Sequence, residues 1–298
     1  MSGENLLISE TPIQQAYPMT VVMATLGGAS LAGTIEQLNS GSVVPAEILV
    51  CIPEQEAPRT AHLLFPNVKV IVTDCRGQVA QRAVGFQNAS HDIVMQLDDD
   101  IMVDKNCLEY LLQTLIKYGP HVAVAPVLIE SASGKTAKMN PKILRLYYFL
   151  MNGSAGYKMG AVSRAGAEFG YDAYVMGQGE HDVEWVPGGC LIHFRKNLIK
   201  DNYFPFKGKA YCEDLLHSYY LKKNGVRLKI NMNARCFLED TPAAGYGYKE
   251  FINIIKADYR ARKYYVRLSS KSYSRMHLYY MALILNYLIK KLLTKNCR

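Results

Sequence analysis

The chain's 298 residues, 49% hydrophobic and 20% charged, exclude a disordered polypeptide and leave room for one large α/β domain, alone or with a tail. Seven cysteines stand singly, at 51, 75, 107, 190, 212, 236 and 297, which argues against structural zinc or a disulfide scaffold and suits a reducing compartment. The net charge of +8 is uneven: 256–298 hold 11 Lys/Arg and one acid, whereas 1–255 hold 23 basic and 25 acidic residues. That speaks against a nucleic-acid groove across the body and for a basic appendage meeting an anionic surface.

Residues 1–18 lack a basic-then-apolar leader, and no apolar run reaches the roughly 20 residues that cross a bilayer. A cytoplasmic location is the expectation. From Thr20 to Ile129 short apolar runs alternate with helical segments. Strands are predicted at 20–25, 47–52, 68–72, 92–97 and 121–129, with helices near 30–39, 57–64, 78–89 and 105–118. This spacing predicts parallel βαβ units. Residues 130–184, rich in Gly, Ser, Lys and aromatics, predict loops and irregular helix that cover a substrate. A turn into a strand follows at 183–194, then a helix at 212–225 with acids in its first turn and Gly225 as its stop, then one or two strands at 226–238.

Asp98, Asp99 and Asp100 follow directly on the apolar run IVMQL. In an open α/β sheet ligands sit beyond the carboxyl ends of strands. Three adjacent acids repel one another unless a cation is present, and Mg²⁺ takes one or two carboxylates together with substrate phosphates. A solvated acidic loop, with Asp104 capping the next helix, is the plainer alternative. Glu213-Asp214 opens the 212–225 helix. Its plain role is to meet the helix dipole; its sharper role is a general base for an acceptor hydroxyl. Aromatic and basic residues precede it (Tyr203, Phe204, Phe206, Lys207, Lys209, Tyr211), and Trp185-Val186-Pro187-Gly188-Gly189 supplies a backbone that a ligand can approach.

CRGQVAQRAVGFQNASHDIVMQLDDD, then WVPGGC, then CEDLLHSYYLKKNG, in this order after a strand–helix–strand start, resembles family 2 glycosyltransferases over Thr20 to Asp240. The resemblance implies a GT-A-type single α/β domain over 18–240, with a mostly parallel central sheet flanked by helices. Residues 18–129 form its nucleotide-binding half and 130–240 its acceptor half. It also implies a nucleotide-diphosphate sugar, such as a UDP-sugar, as donor, Mg²⁺ or Mn²⁺ as cofactor, and transfer with inversion. Asp98 and Asp100 match the family's Asp-x-Asp, whose last acid binds metal, so Asp100 and Asp98 are the expected metal ligands. Asp214 matches the catalytic base. Thr25, Glu54, Gly77, Arg82, Asp98 and Asp99 fall at donor positions, and Gly85 completes the stretch beside the nucleotide. Trp185, Gly188, Gly189 and Glu213 border the acceptor. Pro53-Glu54-Gln55-Glu56 stands where the family has Asp-Asp-Gly-Ser, and Gln81-Arg82-Ala83 where it has Ala-Arg-Asn. Glu239-Asp240 lies near the position of a donor-site His in many relatives.

The C-terminal segment, 241–298, is read as a basic amphipathic helical tail. Between Met276 and Ile289 no residue carries a full charge, and cations and tyrosines flank the run. That pattern fits a helix lying in the headgroup plane on a membrane's cytoplasmic face, with a glycan or lipid-linked acceptor. A helix packed on the domain, or on a second copy in a homodimer, is the alternative. Two other functions fit parts of the sequence. A nucleotidyltransferase should carry Lys or Arg in the loop after the first strand, and TLGGAS carries neither. A non-catalytic, membrane-associated carbohydrate-binding protein would not need the acids.

Overall fold

The computed structural model describes residues 16–130, 145–171, 176–206, 209–238 and 247–295. Its sheet begins with β1 (Tyr17–Ala24), β2 (Pro45–Pro53), β3 (Val68–Thr73) and β4 (Ile93–Leu97). These pair in parallel in the order β3-β2-β1-β4, joined on one side by α1 (Leu31–Ser40) and on the other by α2 (Gln78–Asn88). β1, β2 and β4 are mostly apolar because both of their faces are covered, whereas β3, at the sheet edge, is only partly buried. Met19, Val21 and Met23 pack with α1 and α3 (Cys107–Tyr118), while Val22 and Val94 meet Phe86 of α2, as the two-residue strand period requires.

The second half continues the same sheet. β8 (Cys190–Phe194) lies antiparallel between β4 and β6 (Val122–Glu130), and β9 (Arg227–Leu238) pairs in parallel with β6. Two short strands, β5 (Ile101–Val103) and β7 (Glu180–Val183), run antiparallel along the other edge of β9. Six strands therefore point one way, and β5, β7 and β8 the other. The predicted helix at 57–64 is instead a 3₁₀ helix, Glu54–Thr60, with Pro58 inside it. Proline removes the donor that an α-helix needs there.

Between β6 and β8 the described residues include α4 (Arg145–Asn152) and an aromatic cluster of Tyr148, Tyr157 and Phe169. α5 (Glu213–Lys223) precedes β9, and α6 (Tyr248–Leu268) and α7 (Tyr273–Lys295) close the described chain. Ala261, Tyr265 and Val266 of α6 and Met276 and Tyr280 of α7 share a buried cluster with Leu215 and Leu216 of α5. Arg262, 2% exposed, anchors α6 through Glu168 (2.8 Å) and also pairs with Asp258 of the same helix (3.1 Å). Beyond Tyr280, Leu283 still packs against this cluster, whereas Met281, Ile284, Leu285, Leu288, Ile289 and Leu292 are exposed.

Candidate active site

Where β1 and β4 end, the chain opens into a cavity of about 880 Å³. Thr25, Gly77, Asp98, Asp99, Asp100, Gly189, Glu213 and Asp214 line it. Eight predicted residues, more than 180 positions apart at the extremes, thus share one cavity. α5 brings in the Glu-Asp pair. Its first residue follows Cys212, a non-glycine residue at φ 62°, and this left-handed turn costs about 1–2 kcal/mol. Strain of this kind concentrates at active sites and ligand clamps.

The turn before β8 threads between the two acidic groups, and it requires glycine. A Cβ on Gly188 would run into Glu213 Oε2 and stand 2.8 Å from Asp214 Oδ1; one on Gly189 would lie 2.6 Å from Ile101 Cδ1 and 3.1 Å from Asp98 Oδ2. Gly188 donates its N–H to Asp214 Oδ1 (2.8 Å), and Asp98 donates its own to the Gly189 carbonyl (2.8 Å). Gly77, at φ 140°, opens α2 with a conformation that favours glycine and donates to Gln81 Oε1 (3.0 Å).

Arg82 has a different place from the one predicted. It does not line the cavity but lies behind its wall, 2% exposed. One arm of its guanidinium meets Asp98 Oδ1 (2.9 Å) and the other Glu213 Oε1 (2.8 Å). The two acidic motifs are therefore tied by one buried cation, the planar fork that arginine provides. Glu54 also lies outside the lining: the chain turns into the 3₁₀ helix there and leaves it exposed. Trp185 is turned away too, stacked on Tyr171 at 5.1 Å and donating its indole N–H to the Phe169 carbonyl (2.9 Å). Gly188 acts through its N–H behind Gly189 rather than as lining. None of the described residues of 145–183 lines the cavity, so the expected covering insertion is not seen there. Residues 131–144 and 172–175, and Glu239-Asp240, lie outside the described residues.

Sequence reading missed several participants. Gln78 donates to Asp98 Oδ1 (2.8 Å), and Gln81 donates to the carbonyls of Thr25 and Cys51 (both 2.8 Å), clamping the ends of β1 and β2. Both stand in the GQVAQR run, whose period already placed it on a helix. Arg76 and Lys209 add positive charge to the lining. Arg76 is held by Glu56 at 2.9 Å.

The electrostatics favour a cation. Burial pushes the Asp98 carboxyl up to about 6; Arg82 opposes this, and Glu213 and Asp100 add to it. Burial raises Asp99 as well, although the Thr25 hydroxyl donates to it. Burial also works against the Glu213 carboxylate, but Arg82 and His217 outweigh it and keep Glu213 below its ordinary range. Asp214 is pushed well above its ordinary range, first by burial and then by the charge of Glu213. Glu213 thus stays ionised beside the arginine while its neighbour is the readier proton acceptor. Among the described residues no three His, Cys, Asp or Glu converge as a complete metal cage, because Asp98 faces Arg82 and Gln78 and Asp99 faces Thr25. The donor set nonetheless fits a hard divalent ion. It consists of carboxylate oxygens in excess of cations at a cavity wall, the arrangement that leaves coordination positions for phosphate oxygens.

A model of the family described as glycosyl transferase family 2 matches residues 54–173, a stretch that contains Gly77, Arg82 and the aspartate triplet. Over these residues the chain is similar to glycosyltransferase family 2. A solved structure similar to it is the crystal structure of GalNAc-T7 with UDP, GalNAc and Mn²⁺, at TM-score 0.53 and 16% identity. The likeness covers 82% of this chain and 48% of that one, so this chain spans about half the length of that protein. At this identity the likeness establishes the shared GT-A fold. A search of curated proteins gives no match.

Proposed function

We propose that this chain is an inverting glycosyltransferase that passes a sugar from a nucleotide-diphosphate sugar, a UDP-sugar, to an acceptor hydroxyl. One observation carries the reading: a single cavity holds Asp98–Asp100 on one wall and Glu213–Asp214 on another, with Arg82 bound to both walls from behind. Donor phosphates would meet the aspartate wall, with Arg76 and Lys209 at hand. Gln81 and Thr25 fix the loop that borders them. Asp214, directed by the Gly188 N–H, accepts the proton of the acceptor hydroxyl as its oxygen attacks the sugar from the face opposite the diphosphate. Asp100, with Asp98, would hold Mg²⁺ or Mn²⁺, which offsets charge on the departing diphosphate.

A thermal-shift series tests this. UDP-, GDP- and dTDP-sugars are compared with and without Mn²⁺. The reading expects stabilisation that needs both partners, about 2.7 kcal/mol at a hundredfold excess over Kd. Equal melting temperatures throughout would contradict it.

We also propose that α7 rests on an anionic membrane surface from the cytoplasmic side, which suits a lipid-linked acceptor. Leu278, Met281, Leu285, Leu288 and Leu292 recur at helical spacing and are 37–65% exposed, with Lys290 and Lys291 in the same helix. No helix of the described residues is long and apolar enough to cross a membrane, whereas an amphipathic helix with cationic flanks binds the interface. Replacing Met281, Leu285 and Leu288 by Glu leaves the core residues Met276 and Tyr280 intact. Sedimentation with phosphatidylserine vesicles should then fall by tenfold or more, on the order of 1.5 kcal/mol per apolar side chain withdrawn. Unchanged sedimentation would contradict the proposal. A light-scattering mass that drops from dimer to monomer in the variant would assign the stripe to a second copy instead.

A further inference from the structure

Beside the main cavity lies a second groove of about 340 Å³, and the two share Lys209 and Tyr211. Its character is opposite. Lys209, Lys256 and Arg260 line it together with Phe204 and Phe206, and no acid does. None of these three cations has a carboxylate within 4.0 Å among the described residues. The arginine is nevertheless fixed: its guanidinium donates to the Pro205 carbonyl and lies 5.4 Å from the centre of the Phe204 ring. Phe204 and Phe206 pack at 4.8 Å. Elsewhere on α6 the fold neutralises its buried arginine, Arg262, with two carboxylates. At this groove it holds three positive charges near one another without a carboxylate counter-ion among the described residues.

We infer that this groove seats a phosphate group carried by the acceptor, so that the hydroxyl to be glycosylated reaches Asp214 from a molecule anchored by its anionic end. The inference rests on the transferase reading and adds the acceptor's chemical class. Lysine and arginine donors bind phosphate through short charge-assisted hydrogen bonds, and the paired phenylalanine rings offer an apolar wall to whatever the phosphate esterifies. None of the aspartate triplet lines this groove, and Lys256 and Arg260 do not line the main cavity, so these two cations are separate from the wall assigned to the donor's diphosphate, with Lys209 shared between the two. The phosphate could belong to a lipid or to a glycan.

Isothermal titration of the full chain, in EDTA so that no divalent ion bridges, distinguishes these. The probes are octyl phosphate, glucose 6-phosphate and, as the uncharged control, octyl glucoside. At least one phosphate should bind more tightly than octyl glucoside. The double variant Lys256→Gln/Arg260→Gln should weaken that binding by about tenfold or more, and Lys256→Arg/Arg260→Lys should restore most of it. Tighter binding of octyl phosphate assigns a lipid phosphate, and tighter binding of glucose 6-phosphate a glycan phosphate. No preference for either phosphate over octyl glucoside, or unchanged affinity in the Gln variant, overturns the inference. Release of nucleotide diphosphate from donor by the wild-type chain is followed alongside. A chain that turns over donor without phosphate preference loses the groove alone, and one that turns over no donor loses the transferase reading on which it rests.

Discussion

Replacing Asp214 by Asn should lower the transfer rate by about 10²–10⁴-fold, the usual contribution of a positioned general base, while donor binding persists. Asparagine keeps an oxygen for the Gly188 N–H that now reaches Asp214 Oδ1 at 2.8 Å, so the wall of the cavity should survive. What disappears is the group that takes the proton. Arg82, Gln78 and Asp98 stay as they are, so a nucleotide-sugar titration should give a near-normal Kd. The pH dependence follows from the same group. Burial and Glu213 push Asp214 well above the carboxylate range, and a base works only when deprotonated. Wild-type kcat/KM should therefore climb as pH rises through that raised pKa, and the residual activity of the Asn variant should lose this limb. Gly188→Ala should give part of the same loss, because its Cβ would crowd both acids. Undiminished transfer by Asp214→Asn would remove Asp214 from the role.

Arg82→Met should destabilise the fold by about 3–5 kcal/mol, the cost of leaving a buried charge without its partner. Methionine approximates the arginine stem, so little volume is lost. Asp98 and Glu213, the latter 4% exposed, would face each other across a site with no cation between them. Urea unfolding measures the difference. Arg82→Lys should recover part of the loss, since one ammonium cannot span both carboxylates with the fork geometry seen here. A Met variant as stable as wild type would show that the bridge contributes little. Mn²⁺ should narrow the deficit of the Met variant if the aspartate wall accepts a divalent ion, because the metal restores positive charge beside Asp98.

The βαβ half was legible because strands buried on both faces must be apolar along their whole length, and runs such as TVVMAT and DIVMQL announce themselves. The insertion of β8 between β4 and β6 was not. That pairing joins residues about 100 positions apart, and no local pattern specifies which strand enters the gap. β5 and β7 are too short to carry a period. The site was legible as two acidic motifs, since acids directly after an apolar strand and at a helix start are visible in the chain. The role of Arg82 was hidden because a sequence does not say which face of α2 looks into the cavity. Gln78 and Gln81 do, and Arg82, one residue further round the turn, points beneath. Charge also misled at the C-terminus. Eleven basic residues read as a basic amphipathic tail meeting an anionic surface, yet Arg262 is buried between acids and the helix that carries it packs into a buried cluster with α5.

The most direct measurement is a crystal of the full chain soaked with MnCl₂ and UDP, with the manganese located by its anomalous signal. A peak bridging the diphosphate to Asp100, with the Asp98 carboxylate beside it and Asp214 open across the cavity, is the predicted result. Diphosphate bound elsewhere, or aspartate side chains directed into solvent with no anomalous density near them, would contradict the account.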